Sequence, residues 1–298
     1  MAQGKSVNLF LMDGDADGRI KCTLANWTGV VYKIPRTDLD KCKERKDLKQ
    51  SGVYMLFGVD DSSDRPVVYI GQAGARKNGE GLLNRLYEHR RNSEKSYWKD
   101  AVAITTSNNS FGPTEISYLE NYFCNLALKV NRYEVKNGND PTPGNITEDK
   151  ESELQEFIDY TKLIIGTLGY KVFTPLVPKH HDVEQKTDQS DGDALVYLKR
   201  TIKNIGLTVT AAGKQTAEGF VVLKGSIISP DENSKNISSG IRKRRQTAKI
   251  ENNILQEDVL FDSPSGAAAF AVGNSVNGWT EWKSENGRTL RDLENSKV

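Results

Sequence analysis

A polar segment in the second half of the chain divides the 298-residue sequence into two parts, and no other feature constrains the fold as strongly. Thirteen of the fourteen residues from 180 to 193, all but Val183, are polar, charged or glycine, and five of them are Asp or Glu. A segment of this composition buries little apolar surface and is typical of an exposed linker. The sequence therefore predicts two separately folded units, one before residue 180 and one from residue 194 onward.

The N-terminal extension, residues 1–49, has the pattern of a small β element followed by a helix. Three short runs of apolar and β-branched residues are typical of strands: 7–11, 19–24 and 29–34. After these runs, Thr37 predicts the cap of a charged helix that reaches about Lys49. The inner face of this helix would carry Leu39, Cys42 and Leu48.

The next segments predict a β-hairpin, because two strand-like runs at 52–57 and 67–71 flank a polar stretch. If the loop closes symmetrically, Tyr54 and Tyr69 are direct or near-direct neighbours across the two strands. The sequence leaves the register open, and two tyrosines on paired strands are usually ordinary strand residues. The pair alone therefore indicates no chemistry.

A helix at 82–91 follows the hairpin, with a stripe of leucines on one face. Arg85 and His89 lie four residues apart at the border of that stripe, so they project from one face of the helix. A third strand is predicted at 98–105, after this helix. Taken singly, either Arg85 or His89 is most simply a solvated surface residue.

A second helix, at 114–130, places a carboxylate at the edge of a buried stripe. Glu120 holds this position, and a charge facing a core edge requires a metal ion, an arginine or a cavity to compensate it. Glu115 lies near the opposite edge of the stripe and is the alternative, although the spacing favours Glu120.

Taken in chain order, these residues resemble the GIY-YIG nuclease superfamily over about residues 50–135. The matching features are Gly52-Val53-Tyr54, Tyr69-Ile70-Gly71, Arg85 with His89, Glu120 and Asn131. Each motif is weak alone, but the order of the five and the elements that carry them are specific. The resemblance implies an α+β fold with a three-stranded antiparallel sheet flanked by helices. The N-terminal β extension, a helical extension to residue 179 and a second small α+β domain would be added to it.

The resemblance implies a metal-dependent endonuclease that hydrolyses phosphodiester bonds, with DNA as the favoured nucleic acid. Glu120 would be the single protein ligand of Mg²⁺ or Mn²⁺, and Arg85 would pair with the phosphate. One of Tyr54 and Tyr69 would take the proton of the attacking water while the other orients it, and the division of these roles stays open. His89 would orient the tyrosines or contact the phosphate.

The same resemblance assigns Gly71, Gln72 and Asn131 to the substrate-binding surface, with Asn131 also holding the end of the catalytic helix. Gln72 is a departure, because some members, the nucleotide-excision-repair nucleases among them, have lysine at this position. Other members lack the lysine too, so the departure weakens a repair function rather than nuclease activity. The alternative is a nucleic-acid-binding protein that uses a nuclease fold only structurally.

The C-terminal unit, residues 194–298, resembles over about residues 215–293 an uncharacterised module appended to GIY-YIG nucleases in bacteria. Its predicted helix around 238–250 contains Arg242-Lys243-Arg244-Arg245, four consecutive cations that either contact nucleic-acid phosphates or form a solubilising surface. Trp279 and Trp282 are candidates for stacking on bases, but two tryptophans in a small domain more often belong to its core. The sequence therefore predicts that this unit aids substrate binding.

Charge and cysteine content exclude several other classes. The 41 Lys and Arg balance 40 Asp and Glu, so a nucleic-acid surface has to be a local patch. Cys22, Cys42 and Cys124 are widely spaced and predict neither a disulfide framework nor a structural zinc site. Because there is no long apolar run and no recognisable signal peptide, the sequence predicts a cytoplasmic protein without a membrane partner.

Overall fold

The computed structural model describes residues 4–62, 64–74, 81–138, 141–177, 195–202, 206–230 and 236–296. The chain divides into two compact units, Met1–Pro175 and Leu176–Val298. The predicted linker at 180–193 lies outside the described residues. Among the helices that are described, none is both long and apolar enough to cross a membrane.

The first unit consists of a sheet with helices on both of its faces. Its described strands are β1 (Val7–Leu11), β2 (Ile20–Leu24), β3 (Gly29–Pro35), β4 (Gly52–Val59), β5 (Pro66–Ala73), β6 (Trp98–Thr106) and β7 (Glu134–Val135). Its described α-helices are α1 (Leu82–Arg91), α2 (Pro113–Val130) and α3 (Glu148–Thr167). The predicted hairpin and both predicted helices that follow it are therefore present.

The strands of the first unit form one seven-stranded mixed sheet in the order β1-β2-β3-β6-β4-β5-β7. All neighbours are antiparallel except β5 and β7. The expected three-stranded antiparallel sheet is its part β6-β4-β5, so the expected sheet is too small. Residues 101–104 of β6 are fully buried, and β3 pairs along this strand, which removes an apolar sheet edge.

Side chains of the central strand β4 alternate between two cores, as the pleat of a strand requires. Val53 and Met55 face the core that α2 and α3 cover. Tyr54 and Leu56 face the other core, which includes the leucines of α1. Tyr69 packs against this second core, so the two tyrosines share the α1 face of the sheet.

The helix expected from Thr37 to Lys49 is replaced by two short 3₁₀ segments, Arg36–Cys42 and Lys46–Lys49. Arg45 between them is extended, and its guanidinium contacts Tyr32 and Asp47. The three residues expected on the inner face, Leu39, Cys42 and Leu48, are all fully buried. The burial pattern was therefore predicted correctly, while the polar contacts of Arg45 interrupt the helix.

The second unit has its own sheet and core. Its described strands are β8 (Val196–Ile202), β9 (Leu207–Thr216), β10 (Gly219–Val222), β11 (Ile250–Glu251), β12 (Ile254–Leu255) and β13 (Val259–Phe261). Its described helices are α4 (Ser239–Thr247), α5 (Pro264–Val272), α6 (Gly278–Glu281) and α7 (Leu290–Asn295). The order β13-β10-β9-β8 forms a four-stranded antiparallel sheet, and β11 pairs with β12.

Candidate active site

Three aromatic side chains meet on the α1 face of the hairpin. Tyr54 lies opposite Gly71 and Tyr69 opposite Leu56, so the tyrosines are diagonal neighbours with ring centroids 6.2 Å apart. The Tyr54 hydroxyl and His89 Nε2 form a buried 2.6 Å hydrogen bond across 35 residues of sequence. The His89 ring also lies 5.2 Å from the ring of Tyr69. The expected near-direct pairing of the tyrosines is confirmed, and α1 brings His89 to both.

Gly71 makes this arrangement possible because it leaves room for the ring of Tyr54. A Cβ at position 71 would lie 2.5 Å from Cζ of Tyr54 and 3.0 Å from Cε1 of Tyr69. Both distances are shorter than carbon atoms tolerate, so any larger residue has to displace a tyrosine. Gly71 therefore contributes to the site by the absence of a side chain.

The hydrogen-bonded pair at the centre of the site is uncharged at neutral pH. Burial, with help from the positive charges of Lys95 and Arg85, lowers the pKa of His89 to about 4. Burial and the nearby phenol of Tyr69 raise the pKa of Tyr54 above its ordinary value, although Arg85 acts in the opposite direction. A neutral imidazole has one ring nitrogen that accepts a proton, so His89 is able to accept from the phenol.

Arg85 lies one helical turn before His89 on α1, and its charge reaches the groups on both sides of it. Its Nη1 donates to Glu88 at 2.5 Å. Burial alone would lower the pKa of Arg85, but Glu88 and Tyr54 raise it above its ordinary value. The same guanidinium lowers the pKa of Tyr54 and that of Glu120, so it connects the aromatic cluster to the carboxylate.

Glu120 approaches the site from the opposite face of the sheet. Gln72 pairs with Val53, whose side chain belongs to the α2 core, and the Gln72 amide donates to Ser117 Oγ of α2 at 3.1 Å. Burial raises the pKa of Glu120, while the side-chain amide and backbone of Gln72 and the charge of Arg85 lower it. Glu120 therefore belongs to the α2 side of the sheet and the tyrosines to the α1 side, while the charge of Arg85 acts on both.

Among the described strands, only β7 pairs with the outer edge of β5, and it does so over a short stretch. β7 pairs with β5 only at Val67 and Val68, and the Asn137 side chain then bonds both backbone groups of Ile70, at 3.0 and 2.6 Å. The strand continues beyond Ile70 through Gly71 and Gln72 without a further strand beside it in the described part of the chain. Groups from both faces of the sheet can therefore act on one ligand there.

Glu115 and Asn131 stabilise the two ends of α2. The Gly112 N–H donates to Glu115 at 3.0 Å, so Glu115 caps the first turn of the helix. Asn131 has φ 55° and ends the helix in the left-handed conformation, with its N–H donating to the Ala127 carbonyl at 2.9 Å. Asn131 therefore holds the helix end, as expected, and the capping bond gives Glu115 a structural role that Glu120 lacks.

A cleft of about 250 Å³ adjoins the site between the end of β5 and the start of α1. Its lining residues are Gln72, Ala73, Gly74, Gly81, Asn84, Arg85 and Glu88. The cleft gives a ligand access to Arg85 and to the strand edge.

The donors near Glu120 fit a hard divalent cation that keeps most of its water. The carboxylate of Glu120, the amide oxygen of Gln72 and the hydroxyl of Ser117 all offer oxygen. Throughout the described ranges, no three His, Cys, Asp or Glu side chains gather in a way that could hold a metal ion.

The basic helix α4 of the second unit differs from the expected patch of four cations. Arg245 is 6% exposed and donates to the carbonyls of Phe270 and Ser229, so it belongs to the interior. Arg242, Lys243 and Arg244 are exposed. One cation in four points inward because successive residues of a helix are rotated by about 100°, so the expected phosphate contact of Arg245 is wrong.

Trp282 is part of the core of the second unit. It is fully buried, packs on Phe220 with ring centroids 4.7 Å apart and donates Nε1–H to the Pro264 carbonyl at 3.0 Å. Trp279 is partly buried against the same core. The interpretation of Trp282 as a core residue is confirmed.

Lys95 also contacts the aromatic cluster, although no sequence pattern indicated it. Lys95 Nζ lies 3.3 Å from the centroid of the Tyr69 ring. The residue lies after α1 in a 3₁₀ turn, Ser93–Lys95, so it belongs neither to the apolar pattern of a helix nor to that of a strand. No sequence signal was available to find it.

Comparison with known families finds a match in the second unit, where residues 201–294 match a domain of unknown function, DUF4357. This range includes the segment that resembles an uncharacterised C-terminal module. No nuclease family is detected in the chain. No curated protein and no solved structure matches the chain.

Proposed function

We propose that the first unit is a metal-dependent endonuclease that hydrolyses phosphodiester bonds in DNA, and that the second unit aids substrate binding. The main support is the buried hydrogen bond between Tyr54 and His89, with Tyr69 and Arg85 beside it. Stability of the fold alone does not require two phenols, an imidazole and a guanidinium to cluster beside the edge of a strand. Phosphodiester hydrolysis does require proton acceptors next to a cation that binds phosphate.

In the proposed reaction His89 is the final proton acceptor. Tyr69 is half-buried whereas Tyr54 is fully buried, so Tyr69 is the phenol that faces the attacking water. The water oxygen forms a bond to phosphorus as its proton passes through the tyrosine hydroxyls to His89. The bond from phosphorus to the leaving oxygen breaks, and that oxygen takes a proton from solvent. The imidazole is neutral at pH 7, but its pKa of about 4 makes it a weak base in the free protein, so this role requires the negative charge of a bound phosphate to raise that pKa.

Charge on the phosphate is balanced from both sides of the sheet edge. Arg85 offers a planar fork that suits a phosphate oxygen pair, and it would exchange part of its contact with Glu88 for the ligand. Glu120 would hold Mg²⁺ or Mn²⁺, which supplies Lewis-acid stabilisation of the phosphate when bound. In the second unit, Arg242, Lys243 and Arg244 would add contacts to the DNA backbone.

The test is incubation of the purified full chain with supercoiled, linear, single-stranded and branched DNA in Mg²⁺, Mn²⁺ or EDTA. We expect cleavage of at least one substrate with a metal and none in EDTA. Binding of DNA without cleavage under every condition would refute the nuclease proposal. That result would favour a binding protein, for which the exposed cations of α4 are the supporting observation.

A further inference from the structure

Lys95 is a half-buried cation beside the aromatic cluster. Its Nζ lies over the face of Tyr69. Burial first, and then the charge of Arg85, lowers the pKa of Lys95 to about 8, while Glu94 raises it, so the ammonium is charged at neutral pH. Among the described residues, no ion pair joins Lys95 to a carboxylate. The side chain therefore has a ring to rest on and the charge of its neighbour Glu94, but no direct ion pair among the described residues.

Arg36 holds the segment that carries Lys95. Its Nη1 donates to the carbonyls of Lys95, Ser96 and Trp98 at 3.3, 2.8 and 3.4 Å, and Nη2 donates to the carbonyl of Arg90 at 3.1 Å. The guanidinium also stacks on the Trp98 ring at 4.8 Å. One side chain from the N-terminal extension thus connects the end of α1, the turn after it and the start of β6.

The arrangement brings two like charges close to one aromatic cluster. Arg85 lowers the pKa of Lys95, and both of them lower the pKa of His89, so the cations act on one another and on the same imidazole. Holding two cations together in a partly desolvated place is unfavourable unless an anion compensates them. Glu88 pairs with Arg85, whereas Lys95 has the nearby charge of Glu94 but no ion pair in the described part of the chain. A ligand phosphate fits this requirement.

We propose that Lys95 is a second phosphate-contacting cation of the site, beside Arg85, and that Arg36 is the residue that positions it. The inference rests on the proposed function, since the ligand is a nucleic-acid backbone. It also assigns a role to the N-terminal extension. Through Arg36, that extension holds a binding group in place, in addition to lengthening the sheet.

Salt dependence of DNA binding tests the inference without any need for cleavage. The full chain binds a short fluorescein-labelled duplex in EDTA, and anisotropy is recorded from about 50 to about 200 mM NaCl. Each phosphate contact adds about 0.9 to the slope of log K against log salt. We expect Lys95→Met to lower the slope by about that amount and Lys95→Arg to keep it, because only the charge is needed.

Lys129→Met is the matched control. Lys129 is an exposed lysine on α2, nine residues after Glu120, which places it on the opposite side of that helix. Its replacement should leave the slope unchanged. Thermal unfolding of each variant shows whether a reduced salt slope results simply from loss of the folded state.

Arg36→Lys tests the positioning role by a double-mutant comparison. Lysine cannot donate to four carbonyls from one planar group, so we expect the slope to fall as it does in Lys95→Met. Because Arg36 acts through Lys95, the double variant should be no worse than either single variant. A double variant that loses the sum of the two effects would overturn the positioning role.

The outcomes separate this inference from the proposed function. If the unaltered protein cleaves DNA and Lys95→Met keeps the wild-type slope, the inference fails and the nuclease proposal stands. If Lys95→Met loses slope but the unaltered protein never cleaves, the inference stands and the nuclease proposal fails. If the unaltered protein binds no nucleic acid, both are overturned.

Discussion

Replacement of Gly71 by alanine is the most direct test of the packing on which the site depends. The added methyl carbon would lie 2.5 Å from Cζ of Tyr54 and 3.0 Å from Cε1 of Tyr69. Tyr54 cannot easily withdraw, because it is fully buried and hydrogen-bonded to His89. The substitution should therefore either strain the hairpin or separate Tyr54 from His89.

The expected loss of stability follows from these contacts. Overpacking of a well-packed site costs about 1–3 kcal/mol, and alanine recovers about 0.5–1 kcal/mol over glycine inside a strand. The net loss is then up to about 2.5 kcal/mol. For a folded unit of this size, each kcal/mol corresponds to about 2–4 °C, so the melting temperature of the first unit should fall by up to about 10 °C.

Calorimetry and NMR titration of the imidazoles together measure both effects. The chain has three histidines, so the His89 resonance is readily assigned. We expect its pKa to move from about 4 toward the ordinary 6.5 in Gly71→Ala, because a displaced Tyr54 lets water reach the imidazole. Gly138→Ala is the matched control, since a Cβ there has no neighbour within 4 Å. Gly71→Ala with unchanged stability and an unchanged His89 pKa would refute the packing argument.

Three further predictions concern charge. Because the folded pKa of His89 lies below its unfolded value, the unfolded chain binds more protons between pH 6.5 and about 4. The first unit should therefore lose up to about 1.4 kcal/mol per pH unit as the pH falls through that range, and His89→Gln should remove this slope in pH-dependent denaturation. Glu120→Gln should abolish metal-dependent cleavage but leave DNA binding intact or slightly tighter. Glu115→Gln should keep cleavage and lose at most about 1 kcal/mol of stability through the weakened cap. An inactive Glu115→Gln beside an active Glu120→Gln would reverse the choice of carboxylate. Arg245→Met should destabilise the second unit by about 1–3 kcal/mol in urea because two carbonyls lose a charged donor, whereas Arg242→Ala should be nearly neutral there and weaken DNA binding.

The sequence by itself determined α1, α2 and the hairpin of the first unit, where local periodicity is strong. The helix expected at 82–91 is α1, with the same boundaries, and the helix expected at 114–130 begins one residue earlier, at Pro113. The hairpin was also predicted. These features depend on the spacing of apolar residues and on turn and capping residues, which are local properties and can be read without knowledge of distant contacts.

The tertiary structure alone decided the register of the hairpin and the course of the N-terminal strands. Tyr54 opposite Gly71 is one of several pairings that the loop permits, and the ring of Tyr54 fits only where its neighbour has no side chain. The N-terminal strands join the main sheet because the buried part of β6, residues 101–104, requires a partner on its outer side.

Long-range contacts likewise decided which charged side chains are buried and which are accessible to a ligand. Arg245 is indistinguishable in sequence from Arg244, yet the carbonyls of Phe270 and Ser229 make it a buried donor. Lys95 has no periodicity around it, and it reaches Tyr69 because Arg36, remote in sequence, holds its backbone. Local pattern specifies the elements of this protein, whereas the desolvation and pairing of its charges depend on which elements the fold brings together.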